Sequence, residues 1–255
     1  MIDTHSHIFS EEFKEDLSEV IARAKEIGVE KIFMPNIDDT SVEDMLNVCQ
    51  AYPDYCFPMI GFHPTSVEGP DAIYKVREMK KHLVEGHPYI AVGEVGLDLY
   101  WDKTFEKQQV EVLTEQLRWA KQLHLPVALH TREAFDLMFK VLEQEQDGGL
   151  SGVFHCFNGT EEQANIAISL GFHLGLGGVI TYKNCDVKNY LANISLDKII
   201  LETDDPYLPP VPYRGKRNEI SYMTEVAKKI AEVKQIDIKE VAEATSNNAR
   251  QLFNL

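Results

Sequence analysis

Residues 89–132 read YIAVGEVGLDLYWDKTFEKQQVEVLTEQLRWAKQLHLPVALHTR. The stretch opens on a run, 89–98, that is apolar but for Glu94 and its last residue, the pattern of a strand buried on both faces. Residues 104–123 then give the longest amphipathic helical pattern in the chain, and a second apolar run follows at 126–132. Strand, helix, strand with a crossover of this length means two parallel strands. The unit recurs outward in both directions. Apolar runs fall at 1–7, 31–36, 56–63, 89–98, 126–132, 152–157, 172–181 and 198–204. Helical spacing links Phe13, Leu17, Ile21 and Ala24 up to Gly28, and Val42, Met45, Leu46 and Cys49 before Pro53. Further helical patterns cover 133–145, 161–170, a short weak 184–194, and 221–233 and 238–253 after the eighth run. Eight strand–helix repeats are the count of an α/β protein of the (β/α)8 TIM barrel type, here with an extra C-terminal helix. A doubly wound sheet shares the alternation, but no glycine-rich fingerprint follows the first run. No linker or repeat interrupts the pattern, so 1–255 is expected to be a single domain.

Composition narrows the class. Hydrophobic residues make up 44% and charged residues 26%, which excludes intrinsically disordered and collagen-like chains. Cys49, Cys56, Cys156 and Cys185 form no CxxC pair, and the N-terminus shows neither a basic nor an apolar leader region; a cytoplasmic protein is expected. The uncharged stretch 163–182 is broken by Gly171, Gly175, Gly177 and Gly178, and reads as helix, turn and strand, not as a membrane span. The 41 Asp and Glu against 25 Lys and Arg give a net charge of −16. Such a body repels nucleic acid and anionic membranes unless a local site overrides the field.

In barrel enzymes the chemistry sits at the C-terminal ends of the strands. Those ends carry Asp3, His5 and His7; Asn36; His63; Glu94 and Asp98; His130 and Arg132; His155; and Asp204. Side chains alternate across a strand, so Asp3, His5 and His7 share a face, as do Glu94 with Asp98 and Glu202 with Asp204. If these faces line the mouth, imidazoles and carboxylates converge there in numbers that suit two divalent ions, Zn, Mg or Mn. His5 and His7, two histidines on one face of a buried strand, serve no packing purpose; Glu94, His130, His155 and Asp204 each have an ordinary structural explanation singly, but together, at successive strand ends, they read as a metal centre. His82, His87, His124 and His173 are taken as structural. Cys156, opposite in phase to His155, is expected in the core, and the other three cysteines are expected to be inert.

The blocks DTHSH at 3–7, GFHP at 61–64, GEVGLD at 93–98, HTREA at 130–134, FHCFNG at 154–159, ETDDPYL at 202–208 and RGKRNE at 214–219 together resemble the TatD-type metal-dependent deoxyribonucleases, which belong to the amidohydrolase-like barrels. The similarity continues to NNARQLF at 247–253. It implies that His5, His7 and Asp204 hold one ion and His130 and His155 the other, with Glu94 as the bridge. Many amidohydrolases have a carboxylated lysine at the fourth strand end; the glutamate here favours the nuclease-like branch.

Two such ions can clamp the attacking and departing oxygens of a phosphodiester. On that reading Asp204 is ligand and general base, Glu94 sets the spacing of the ions, and His63 contacts the scissile phosphate or the leaving oxygen. Asp98 and Arg132 are expected to orient ligands, Arg132 also meeting substrate. Arg214, Lys216 and Arg217, a basic cluster after the eighth strand, are expected to grip substrate phosphate. The expected substrate is single-stranded DNA, attacked from its 3′ end as the resemblance implies. Hydrolysis of another ester or amide, such as deacylation of aminoacyl-tRNA, is the alternative, and a non-catalytic metal-binding scaffold a third. No membrane partner is expected, and a monomer is compatible with every feature read so far.

Overall fold

The computed structural model describes residues 1–255. Eight parallel strands are hydrogen-bonded in the order of the chain: β1 (Ile2–Asp3), β2 (Lys31–Pro35), β3 (Cys56–Ile60), β4 (Ala91–Asp98), β5 (Val127–Arg132), β6 (Gly152–Phe154), β7 (Phe172–Leu176) and β8 (Ile199–Leu201). The sheet curls until the last strand meets the first. There the seam is held by Thr4 N–H donating to Leu201 O (3.1 Å) and Asp204 N–H donating to His5 O (2.8 Å). The fold is a (β/α)8 TIM barrel.

Helices α1 (Leu17–Glu26), α2 (Val42–Ala51), α3 (Ala72–Met79), α4 (Glu106–Leu123), α5 (Phe135–Glu145), α6 (Glu161–Ser169), α7 (Val187–Tyr190) and α8 (Met223–Lys234) follow the strands in turn. Their buried stripes and the outward faces of the strands form one large apolar cluster. The weak pattern at 184–194 becomes the four-residue α7. The extra helix, α9 (Ile238–Leu252), leads into a plug at the N-terminal end of the barrel. There Ala249 and Phe253 pack on Ile2, Phe33, Met59, Ala91, Ala128, Val153 and Ile200, inward side chains from seven strands. The bottom of the barrel is therefore dry and packed, and the polar residues lie at the other end.

Two readings need correction. Helix α3 was not read from the sequence, although Ala72, Ile73, Val76 and Met79 are buried at helical spacing. The strands are also shorter than their apolar runs: β1 ends at Asp3, and residues 178–181 turn helically instead of extending β7. The candidate ligands beyond β1, β6 and β8 have left the ladder: His155 lies in a turn, and Asp204 has a φ of 58°. This frees their side chains to turn inward over the mouth.

Candidate metal centre

Glu94 is the hub. It lies on β4 where the β4–β5 register shifts between Val92 and Val95, an irregularity of the kind that re-aims a side chain beside a site. Close approach of β4 and β5 is possible because residue 96 is glycine; a Cβ there would lie 1.9 Å from His130 O. Glu94 is almost fully buried. Its Oε1 lies 2.9 Å from His130 Nδ1 and 3.3 Å from the Nε2 atoms of His63 and His155. Its Oε2 lies 3.3 Å from His5 Nε2 and 3.6 Å from His7 Nε2. One carboxylate thus faces five imidazoles. Asp204 closes the cluster from the segment after β8, its Oδ1 being 3.5 Å from His7 Nε2 and 3.9 Å from those of His5 and His155.

What stands behind each ring decides which nitrogen faces the centre. His7 Nδ1 is 3.1 Å from Pro35 O, a partner that can only accept, so Nδ1 carries the proton and Nε2 offers its lone pair. His130 is turned the other way: Nε2 reaches Asp98 Oδ2 at 2.9 Å, which leaves Nδ1 toward Glu94. His63 Nδ1 meets Thr65 Oγ1 at 2.6 Å. Behind His155, Nδ1 lies 3.2 Å from Glu202 Oε1. His5 has no such support. It stacks on His155 at 3.6 Å and 16°, and neither of its buried ring nitrogens has a hydrogen-bond partner.

Orphaned buried nitrogens are costly unless a ligand satisfies them. A divalent cation fits these donors. Three groups have ligand atoms within 4.8 Å of one another: His5, His7 and Asp204; His63, Glu94 and His130; and His5, His155 and Glu202. The first matches the ligand set implied for one ion. In the second, His63 joins Glu94 and His130, where the expectation had His155. His155 lies between the two groups, within reach of both carboxylates.

Electrostatics keep both central carboxylates ionised. Burial alone would raise the Glu94 pKa, but His63, His5 and His155 outweigh it and hold the carboxyl well below its ordinary value. Burial likewise opposes ionisation of Asp204, and His155 and His7 hold it low. Burial also lowers the pKa of His155, but Glu202, Asp204 and Glu94 reverse this and push it up to about 10. At neutral pH, metal-free His155 therefore carries a proton that coordination must expel. Uptake of metal should release protons, and apparent affinity should rise with pH through the neutral range. Calorimetric titration in two buffers of different ionisation enthalpy measures the number released; equal heats in both would contradict the assignment.

Some supporting residues escaped the sequence reading. Glu202 was grouped with Asp204 but given no task; it is fully buried, accepts the Cys156 N–H and backs His155. Its place depends on Gly175, where a Cβ would lie 2.3 Å from Glu202 Oε2. Asp3 accepts from Thr203 N–H at 3.0 Å and Thr203 Oγ1 at 2.6 Å, tying the two ligand-bearing segments together. Asp205 lies buried beside it, its pKa pushed up to about 7 by that burial. The signal for all three was their position inside the DTHSH and ETDD blocks.

Two expectations fail. Cys156 is not a core residue: its backbone φ of 46° breaks the strand alternation, and it lines the cavity with His155 and Asp204. Arg217 is not free to grip phosphate. It donates to both Asp16 carboxylate oxygens at 2.7 Å and lies over the Phe13 ring at 4.4 Å, locking the loop after β8 onto the segment before α1. Arg214 and Lys216, in the same loop, remain exposed.

Above the ligands is a cavity of about 360 Å³ lined by His130, Arg132, His155, Cys156, Asn158, Val179, Asp204, Tyr207 and Leu208, among others. It adjoins a larger one of about 780 Å³, with which it shares Arg132 and Asn158. The rim exposes Tyr100, Trp101, Tyr207 and Leu208. No helix is long and apolar enough to cross a membrane.

Comparison with known proteins gives a consistent result. The model of the family described as TatD related DNase matches residues 2–254. An uncharacterised metal-dependent hydrolase, YabD, from Bacillus subtilis is 37% identical, the alignment covering 100% of this chain and 99% of that one. A protein named 3′-5′ ssDNA/RNA exonuclease TatD, from Edwardsiella piscicida, is 31% identical with both chains covered in full. The crystal structure of YjjV, a TatD homologue from Escherichia coli K12, superposes with a TM-score of 0.91 at 31% identity, covering 100% of this chain and 98% of that one.

Proposed function

The chain belongs to the TatD-related DNase family of metal-dependent hydrolases, and from that premise we propose that it cleaves phosphodiester bonds in single-stranded DNA from the 3′ end, using two divalent ions. The observation that carries this reading is the convergence of five imidazoles on Glu94, with Asp204 beside them at the edge of an open cavity. When bound, divalent ions supply Lewis acidity at the phosphoryl oxygen and at the attacking water.

The residues of the chain supply the rest. His5, His7 and Asp204 are positioned to hold one ion; Glu94 and His130, with His63, to hold the other; and His155 serves between them. Asp204 is the general base. Its Oδ1 faces the imidazoles while Oδ2 has no hydrogen-bond partner, so Oδ2 is free to take the proton of the attacking water. Because His63 Nε2 points at Glu94, we place His63 with the ligands and not at the leaving oxygen. Arg132, at the junction of the two cavities, and Arg214 with Lys216, on the exposed loop after β8, are the substrate contacts. They give an acidic chain a local positive mouth.

The test is an assay panel of single-stranded DNA, single-stranded RNA, aminoacyl-tRNA and a simple ester, run with divalent metal and with chelator. Cleavage of DNA from its 3′ end, lost in chelator and restored by metal, is expected. Turnover of aminoacyl-tRNA or ester with DNA left intact would replace this reading with the deacylase one.

A further inference from the structure

The RGKRNE block at 214–219 supplies Arg214 and Lys216 to the proposed function and leaves its last three residues without a task. Those three are held unlike an ordinary surface loop. Arg217 donates to both Asp16 carboxylate oxygens at 2.7 Å. Glu219 accepts from Arg23 Nε at 2.8 Å and Nη2 at 2.7 Å. Asp16 precedes α1 and Arg23 lies within it, so a two-pronged ion pair on either side pins residue 218 against that helix.

Asn218 between them is buried. Its Oδ1 accepts the Glu219 N–H at 2.9 Å, which fixes the amide so that Nδ2 faces the chain after β8. There Nδ2 donates to Thr203 O at 2.8 Å and to Tyr207 O at 2.7 Å, two carbonyls that no backbone N–H reaches. The Asn218 N–H donates to Pro206 O at 3.0 Å. The residues that follow the two carbonyls, Asp204 and Leu208, have φ of 58° and 50°. This is the left-handed region, which residues with a Cβ disfavour. Such conformations persist where the surroundings over-determine them. The backbone adds two bonds of its own, Asp204 N–H to His5 O at 2.8 Å and Tyr207 N–H to Asp204 O at 2.9 Å.

Resting on the assignment of Asp204 as general base, we propose that Arg217, Asn218 and Glu219 form a clamp that positions it. The ion pairs seat Asn218 against α1, and Asn218 holds 203–207 in the turn that aims the Asp204 carboxylate at the imidazoles. Asn218 is a positioning residue and acts through Asp204. Arg217 is thereby part of the mounting of the base, which is why it is not available to phosphate.

The test uses the full, metal-loaded chain and a short single-stranded oligonucleotide. Asn218→Ala should lower kcat by about 10²-fold, the scale of a misplaced catalytic group, with KM much less changed. That loss should vanish when the base is already gone: Asp204→Asn with Asn218→Ala should turn over no more slowly than Asp204→Asn alone. Hydrogen exchange gives a readout that needs no turnover. The amides of Asp204 and Tyr207 should exchange about tenfold faster in Asn218→Ala, the worth of one hydrogen bond. Asp16→Ala removes the Arg217 anchor at a partly exposed position and should quicken the same amides, so the test survives if Asn218→Ala does not fold. Arg118→Ala, which breaks an ion pair with Glu145 far from the clamp, is the control and should change none of these. Wild-type kcat or wild-type exchange in a folded Asn218→Ala would overturn the clamp. So would a second 10²-fold loss in the double variant, the mark of a general structural defect. Near wild-type kcat in Asp204→Asn would instead overturn the base assignment, and a wild type inert on the strand would overturn the nuclease reading; in either case the exchange result still decides whether Asn218 holds the turn.

Discussion

Glu94→Gln is expected to empty the metal centre and remove activity with it. The side chain keeps its size, but one of its oxygens becomes an NH2 group and its charge is lost. Glu94 Oε1 serves His130, His63 and His155, and Oε2 serves His5 and His7, so whichever oxygen is lost, two or more rings then face an amide hydrogen or lose a charged neighbour. Removing one partner of a buried charged group costs about 3–5 kcal/mol. Taken from metal binding, that is a roughly 10²–10⁴-fold loss of affinity. Stability gives a readout independent of turnover. Metal at a hundred times its Kd adds about 2.7 kcal/mol to the folded state, or roughly 5–10 °C in Tm for a chain of this size. Wild type should show that rise on adding metal and lose it in chelator, whereas Glu94→Gln should melt at one temperature in both. A variant with full metal content and the wild-type shift would show that Glu94 is not the hub.

The second large effect is on the chemical step. Asp204→Asn keeps an oxygen that can face the ion held by His5 and His7 but removes the proton acceptor. Asp204 is the most exposed of the two carboxylates at the centre, at 13% against 4% for Glu94, and its free Oδ2 lies beside the cavity. Its pKa is held low by His155 and His7 against the effect of burial, so the acid is ionised and ready to accept. The kcat should fall by about 10²–10⁴, the range that general-base catalysis contributes. KM should move much less, because Arg132 and Arg214, the proposed substrate contacts, are untouched. Metal content measured on the same sample separates the two roles. Retained metal with near wild-type kcat would assign the base elsewhere; metal lost in parallel with kcat would make Asp204 a ligand alone.

The sequence by itself determined the barrel, because alternation of buried strands and amphipathic helices is a local property. Each run from 31–36 onward shows its period within its own few residues, and eight such units leave few ways to close a sheet. It also singled out the candidate ligands. His5 and His7 follow β1 two residues apart, Glu94 and His130 lie within β4 and β5, and His155 and Asp204 follow β6 and β8, all on the side of the barrel where the mouth opens. Helix α3 is equally local: Ala72, Ile73, Val76 and Met79 recur at helical spacing in the sequence itself.

What tertiary structure decided concerns partners far apart in the chain. Nothing near Arg217 distinguishes it from Arg214, yet one is held by Asp16, 201 residues away, and the other lies free over Tyr182. Nothing local says that Glu202 will back His155, or that His63 will face Glu94 while Asp98 takes the far side of His130. Cys156 left the core because of a single backbone turn outside the ladder, where the alternation rule has no force. Periodicity is encoded residue by residue; the pairing of charges depends on which loops the closed barrel brings within about 4 Å, the distance over which an ion pair forms.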